Sequence, residues 1–192
     1  IIKSNKIKLY FNSNQKSYIK RLYGAYRYFY NRTISYINNY NKITKGTFYH
    51  IKYNDESTKI NINLKEIKNP FTFYTIRDLI KNNYPSWLKE FNVPSHLIDK
   101  AINEATDNYD KCLQKLYKKQ IFYFKLEHKT KKDKIQTMNI ELSMIHSQTN
   151  SLFYNLSENS KNKYVFRNIK SSCKFSKYKN ICDSSITYNQ RL

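Results

Sequence analysis

The chain contains very little glycine, and this scarcity excludes several common classes of nucleotide-dependent enzyme. Only two of its 192 residues are glycine. Phosphate-binding loops and dinucleotide fingerprints need glycines at fixed spacings, because only glycine lets the backbone approach a phosphate so closely. The sequence therefore predicts neither a P-loop nor a Rossmann-type nucleotide site.

Cysteines and long apolar runs are scarce as well. Cys112, Cys173 and Cys182 are too far apart for a Cys-x-x-Cys zinc site. Their odd number argues against a disulfide framework, so we expect free thiols in a reducing compartment. No apolar run approaches the length of a membrane span, and the sequence shows no signal peptide. We therefore expect an intracellular protein of the nucleus or cytoplasm, with no membrane partner and no small-molecule substrate.

Acidic residues are outnumbered by basic ones. Thirty-five Lys and Arg against fourteen Asp and Glu give a formal net charge of +21, and nineteen Tyr and eleven Phe lie in the same segments. Such a charge repels itself in a compact fold unless a polyanion offsets it. Aromatic rings stack on bases while Lys and Arg bind phosphates. The composition predicts a nucleic-acid partner, although codon drift in an AT-rich genome would also raise Lys, Asn, Ile and Tyr.

The first half of the chain is predicted to be mainly helical. Residues 6–11 alternate basic and apolar side chains, as a half-buried strand does. Asn12 or Ser13 offers an N-cap, with Gln15 placed to complete a capping box. The helix that follows has an apolar face made of Ile19, Leu22, Tyr23, Tyr26, Phe29, Tyr30, Thr33, Ile34 and Ile37.

Further helices are predicted after a polar loop at residues 41–70. Two short ones occupy Phe71–Lys81 and Ser86–Phe91, and a longer one begins at Pro94 and Ser95. The apolar stripe of the long helix is Leu97, Ile98, Ala101, Ile102, Ala105, Tyr109, Cys112, Leu113 and Leu116.

After Gln120 the spacing changes to that of strands. Alternating apolar residues predict strands at 122–126, 138–144, 164–169, 175–181 and 186–188. A lone first strand needs a partner, so residues 1–12 should pair with the C-terminal sheet. The predicted fold is α+β: a β domain of residues 1–12 and 120–192, interrupted by a helical domain of residues 13–119.

The sequence shows no catalytic or metal site. The four histidines, His50, His96, His128 and His146, are isolated from one another. The acids of the β region occur in no Asp-x-Gly or Asp-x-Asp setting, and we interpret them as surface charges: Glu127, Asp133, Glu141, Glu158 and Asp183. We therefore expect no catalytic residue, no metal ligand and no cofactor in this chain.

Two regions are predicted to bind nucleic acid. Residues 118–125 alternate cations with aromatic residues, and lysines continue to residue 134. The alternative for this segment is an edge strand protected from aggregation by lysines. On the first helix, Arg27 and Asn31 lie one turn apart beside the apolar face. They either contact phosphate or a base edge, or brace a neighbouring helix.

Several motifs resemble those of the TnpB family of transposon-encoded proteins, and especially its eukaryotic and viral branch, Fanzor. The first is Lys6-Ile-Lys-Leu-Tyr with Asn14-Gln15, followed by the Arg-x-x-Tyr-Asn motif that ends at Asn31. The second is the long helix of residues 101–119, followed by Phe124-Lys125-Leu126 and Lys131-Lys-Asp-Lys134-Ile-Gln136. The motifs occur in the family's order between residues 6 and 142. Thr137 stands where the family usually has Ser.

The resemblance implies the recognition part of an RNA-guided DNA endonuclease. In that family a β-barrel wedge domain and an inserted helical domain, with a helix-turn-helix, bind guide RNA and target DNA. Cleavage and Mg²⁺ belong to a RuvC domain, which we do not expect within this chain. The alternatives are a stand-alone helix-turn-helix regulator and an inactive transposon remnant. The predicted nucleic-acid-binding residues are Lys6, Lys8, Tyr10, Lys20, Arg27, Tyr30, Asn31, Lys118, Lys119, Tyr123, Lys125, Lys129, Lys131, Lys132 and Lys134.

Overall fold

The computed structural model describes residues 5–43, 71–91, 93–154, 164–166, 169–177 and 184–189. The elements within them confirm the predicted α+β class. Four helices lie in the first two thirds of the chain: α1 (Ser13–Ile43), α2 (Phe73–Lys81), α3 (Trp87–Glu90) and α4 (Ser95–Tyr117). The strands are β1 (Leu9–Tyr10), β2 (Ile135–Ile140), β3 (Ile145–His146), β4 (Ser151–Tyr154), β5 (Tyr164–Phe166), β6 (Lys170–Ser171) and β7 (Ser184–Asn189).

Helix α1 begins with the predicted capping box. The backbone N–H of Gln15 donates to Asn12 Oδ1 at 2.9 Å, and the N–H of Asn12 donates to Gln15 Oε1 at 3.0 Å. These two bonds satisfy amide groups that have no partner inside the helix. All nine residues of its predicted apolar face are buried. The helix continues to Ile43, so the predicted loop is wrong at residues 41–43, and the rest of it lies outside the described residues.

The later helices also follow the sequence closely. Thr72 caps α2, since its hydroxyl accepts from the Thr75 N–H at 3.2 Å. Along α4 the first six residues of the predicted stripe are buried, while Cys112 and Leu113 are half-buried. Hydrophobic periodicity therefore located these helices correctly, because their apolar faces pack in the interior.

The described strands form three small antiparallel sheets. As predicted, β1 pairs with a C-terminal strand: Leu9 lies opposite Ser171 in β6. Strand β2 pairs with β7 over six residue pairs, and β3, β4 and β5 form a three-stranded sheet. Among the strands that the structure describes, the three sheets do not join into a closed barrel.

Three predicted strands are wrong in whole or in part. Residues 121–130 contain no strand, although Phe122, Phe124 and Leu126 alternate. Leu142–Met144 and Phe175–Lys177 form short 3₁₀ turns. An alternating pattern needs a partner strand to become a ladder, and these segments are instead bonded by turns or by side chains. The prediction at residues 178–181 lies outside the described residues.

The chain divides into two compact units, and two of the boundaries between them fall within α1 and α4. One consists of residues 1–26, 87–100 and 131–192, and the other of residues 27–86 and 101–130. In the first unit, the ring of Phe166 lies 5.6 Å from Phe11, 5.5 Å from Tyr18 and 5.5 Å from Phe153. Burial raises the pKa of the Tyr18 hydroxyl to about 12, against the opposing effect of Arg21. The domain boundaries inferred from the sequence stay a prediction.

Helix α4 ends in a Schellman motif with an unusual residue. The Gln120 N–H donates to the Lys115 carbonyl at 2.9 Å, and Lys119 has a left-handed φ of 57°. Glycine usually occupies this position, because a Cβ atom is strained there. The lysine therefore costs some stability at the point where the chain leaves α4.

Replacing this lysine is expected to stabilise the fold. Lys119→Gly should raise the free energy of unfolding by about 0.5–1 kcal/mol, as the strain is relieved but the unfolded chain gains entropy. Urea titration followed by circular dichroism would measure the change. Lys119→Ala is the control, since it removes the charge and keeps the Cβ. If Lys119→Ala raises the free energy of unfolding by the same amount, the gain comes from removing the charge, and strain at this position is contradicted.

Candidate nucleic-acid interface

Most of the predicted binding lysines lie on the surface. Tyr10 is also exposed, whereas Arg27 is half-buried. Of the predicted lysines, those exposed in the first unit are Lys6, Lys8, Lys20, Lys131, Lys132 and Lys134, and those exposed in the second are Lys118, Lys119 and Lys125. Contact of these residues with nucleic acid stays a prediction.

The densest combination of cations and aromatic rings is the segment of residues 118–125, which we call the lysine–aromatic loop. It carries three exposed lysines and no acidic residue. Phe122 is 96% exposed and Tyr123 is 85% exposed. Large aromatic side chains usually bury most of their surface, so two adjacent rings in solvent distinguish this loop from the rest of the described surface.

The loop is fixed to its own unit on the C-terminal side. The ring of Phe124 lies 5.6 Å from that of Tyr109 on α4, and Leu126 is buried. The Asn38 side-chain amide of α1 donates to the Leu126 carbonyl at 3.1 Å. Together with the Schellman motif at Lys119, these contacts hold both ends of the exposed stretch.

The Asn31 side chain makes two hydrogen bonds to the backbone of Lys129, which follows the loop. Its amide nitrogen donates to the Lys129 carbonyl, and its amide oxygen accepts from the Lys129 N–H, each at 2.8 Å. One turn further along α1, the Ser35 hydroxyl lies 3.1 Å from His128 Nε2. The side chains at positions 31, 35 and 38 share one helix face, and the two asparagines bond backbone groups of residues 126 and 129 that a neighbouring strand would otherwise bond. Asn31 thus braces an extended segment rather than a helix.

Lys129 and Tyr30 lie inside the second unit. The Lys129 ammonium group is 2.7 Å from one Glu104 carboxylate oxygen and 2.8 Å from the other. It also lies 4.4 Å from the centre of the Tyr30 ring, a cation–π distance. Tyr30 is buried, and its hydroxyl accepts from the Asn108 amide at 3.2 Å. Burial raises the pKa of Tyr30, so the phenol stays neutral beside Glu104.

Strand β1 presents a second basic surface in the first unit. Just before this strand, the Lys8 N–H donates to the Ser172 hydroxyl at 3.0 Å, and the Lys8 carbonyl accepts from the Ser172 N–H at 2.9 Å. Both the Lys8 and Tyr10 side chains are exposed, with the ammonium group 5.6 Å from the ring centre. The backbone is thus held from one side while the cation and ring remain in solvent.

Histidines and acids of the described residues make ordinary local contacts. His96 Nδ1 lies 3.0 Å from Glu141 Oε2, and His146 Nδ1 lies 2.7 Å from the Thr149 hydroxyl. Within the described ranges, no three His, Cys, Asp or Glu side chains are grouped closely enough to hold a metal ion. None of the helices described there is long and apolar enough to cross a bilayer.

Sequence reasoning missed several residues that build this candidate interface. The predicted binding residues included Tyr123 but omitted Phe122, although the segment of cations and aromatic residues at 118–125 contains both. The braces Ser35 and Asn38 had a detectable signal, because they follow Asn31 at helical spacing. Glu104 had none, since its partner Lys129 is 25 positions away along the chain.

Comparison with known proteins found two similarities. Residues 1–45 match the model of a helix-turn-helix domain family, that of OrfB in IS605 elements. The described part of this range contains β1 and the single helix α1. A TnpB-like protein, L79, of Acanthamoeba polyphaga mimivirus is 29% identical over 127 residues. The aligned region covers 66% of this chain and 22% of that relative.

These two matches confirm the resemblance to the N-terminal part of the TnpB family. Helix-turn-helix domains are DNA-binding modules, so the matched region indicates nucleic-acid binding. The chain spans less than a quarter of its viral relative.

Proposed function

We propose that this chain is the nucleic-acid recognition part of a TnpB- or Fanzor-like, RNA-guided DNA endonuclease, and that it binds guide RNA and target DNA. The lysine–aromatic loop carries this proposal, since it offers three exposed lysines and two exposed rings on a chain of net charge +21. The match of residues 1–45 to a helix-turn-helix family supports the same partner class.

In the proposed arrangement, exposed and internal residues have different roles. Exposed lysines neutralise phosphates, while Asn31, Tyr30 and Lys129 hold the segment that follows the loop. The small sheets correspond in this proposal to a wedge domain, and the helices to the recognition domain inserted in it. Hydrolysis and Mg²⁺ are assigned to a RuvC domain, and we propose no catalytic residue, metal ligand or cofactor within residues 1–192.

Salt dependence tests the nucleic-acid proposal directly. Binding through lysines releases counterions, so log K should fall by about 0.7–0.9 per neutralised phosphate per decade of salt. Roughly five or more phosphate contacts are expected for the unmodified protein. Titration of a labelled RNA and a labelled DNA at several salt concentrations measures the slope. A nearly flat response would contradict nucleic-acid binding.

A charge-matched pair of variants locates the contacts. Replacing Lys118, Lys119 and Lys125 together by Gln should make the slope shallower by about 2–3, since three phosphate contacts are lost. The control replaces by Gln the lysines Lys81, Lys111 and Lys177, which are also exposed and lie outside the loop. It removes the same net charge, so equal changes in the two variants would show that the loop has no special part.

The helix-turn-helix match also favours a second candidate, a stand-alone DNA-binding regulator. A regulator of this class usually dimerises and protects two half-sites about one helical turn apart. The mass of the complex in solution and the symmetry of its footprint distinguish the two functions. A dimer with a two-fold symmetric footprint favours the regulator, and an asymmetric footprint that depends on added RNA favours RNA-guided recognition.

A further inference from the structure

The two exposed rings of the lysine–aromatic loop point to a specific kind of ligand. Phe122 and Tyr123 are the most exposed large apolar side chains among the described residues, whereas nearby Phe124 packs against Tyr109. Alternation along the chain would place Phe122 on the same side as Phe124 and Leu126, both of which face inward. Phe122 instead projects into solvent, where its ring has a free face.

The loop is held in shape before any ligand binds. The left-handed Lys119 ends α4, and buried Leu126 together with the Asn31 and Asn38 side chains fixes the return to α1. A ring on an anchored backbone loses little conformational freedom on binding, which favours affinity. The exposed pair is therefore suited to recognition rather than being an incidental feature of a loose segment.

The surrounding charge selects the class of ligand. Residues 118–126 include Lys118, Lys119 and Lys125 and no acid. A ligand must therefore combine flat apolar faces with negative charge at short intervals. Unpaired bases of a single strand meet this requirement, whereas bases within a duplex hide their faces by stacking on one another.

We propose that unpaired bases of single-stranded nucleic acid stack on Phe122 and Tyr123, while the three loop lysines bind the flanking phosphates. This proposal rests on the proposed nucleic-acid function and deepens it by giving the loop a preference for unpaired over paired nucleotides. Every base has a stacking face, so the site tolerates different sequences. It accepts both RNA and DNA, because stacking does not involve the 2′-hydroxyl group.

Alanine variants of the two rings test the proposal. The ligands are a labelled RNA strand of about a dozen nucleotides, the DNA strand of the same sequence, and the two corresponding duplexes. Phe122→Ala and Tyr123→Ala should each weaken binding of either single strand by about 5- to 150-fold. Duplex binding should change by less than about 3-fold. The salt slope should stay the same, because neither variant removes a charge.

Two matched controls make the result specific. Tyr74→Ala removes a tyrosine that is 73% exposed on α2, outside the loop, and should leave single-strand affinity unchanged. Phe122→Leu keeps an apolar side chain of similar bulk but has no aromatic face, so it should bind single strands nearly as poorly as alanine. If the leucine variant binds single strands as tightly as the unmodified protein, the contact is a plain apolar one and stacking is rejected.

The remaining outcomes separate this inference from the function on which it rests. If the unmodified protein binds no nucleic acid at low salt, the proposed function fails as a whole. If it binds with a steep salt slope while the ring variants bind equally well, only the stacking site is rejected. Equal losses for single strands and duplexes would also reject it, as would a dimer of the unmodified chain that the ring variants abolish.

Discussion

Asn150→Ala is expected to lower the free energy of unfolding by about 3–5 kcal/mol, a large part of the stability of a typical domain. The Asn150 side chain bonds three separate backbone or side-chain groups. Its nitrogen donates to the Ile169 carbonyl at 2.9 Å and to the Ser171 hydroxyl at 2.7 Å. Its oxygen accepts from the Phe175 N–H at 2.8 Å. Alanine leaves these groups without their partner and is strained at the left-handed φ of 51°.

Two further substitutions separate the side-chain contribution from the backbone contribution. Asn150→Gly relieves the strain and still loses the three hydrogen bonds, so it should be less destabilising than alanine by about 1 kcal/mol. Asn150→Asp keeps an acceptor for Phe175 but has no group to donate to Ile169. Urea titration of all three variants by circular dichroism gives the comparison. Equal stability of the alanine variant and the unmodified protein would contradict the assigned role.

The effect of Asn150 should extend to the basic surface on β1. Asn150 positions Ile169 and Ser171 on either side of Lys170, and this strand, β6, pairs with β1 through Leu9 and Tyr10. Loss of the asparagine thus loosens the only strand that the described structure pairs with β1. Exposed Lys8 and Tyr10 would then lose their fixed positions.

The sequence predicted the elements whose determinants are local. The Asn12–Gln15 capping box lies within four residues, and the apolar face of α1 repeats at helical spacing, so both were recognisable without knowledge of the fold. Residues 186–188, which pair with β2, were also predicted as a strand, because their pattern too is local. The rule that Asn replaces Gly in left-handed turns also offered a signal for Asn150, but it did not single out this residue.

Features that depend on distant partners were not predictable. Alternation at residues 122–126 suggested a strand, yet the Leu126 carbonyl and, beyond it, the Lys129 carbonyl accept from side chains about 90 residues earlier on α1. Lys129 is a residue type that often binds phosphate. Its contacts with Glu104 and Tyr30 follow only from the packing of α1, α4 and the loop. Such pairings are properties of the fold and leave no local pattern in the sequence.

Asn31→Ala is expected to destabilise the fold by about 2–4 kcal/mol while leaving nucleic-acid affinity per folded molecule nearly unchanged. The substitution removes the hydrogen bonds that Asn31 makes to both the N–H and the carbonyl of Lys129, a residue that is half-buried. Each such group costs about 1–3 kcal/mol when it is unsatisfied in the interior. Asn38→Ala is the graded control, since it removes a single bond to the Leu126 carbonyl and should cost about half as much.

Stability and affinity measured on the same Asn31 variant distinguish the two roles that the sequence left open. A brace predicts a lower thermal midpoint and, well below that midpoint, an RNA or DNA affinity within about 3-fold of the unmodified protein, because the Schellman motif and Leu126 still hold the loop. A direct contact of the Asn31 amide with phosphate or a base edge predicts the opposite. Binding would then weaken by about 1–3 kcal/mol at an unchanged midpoint, and the structural assignment of Asn31 would be wrong.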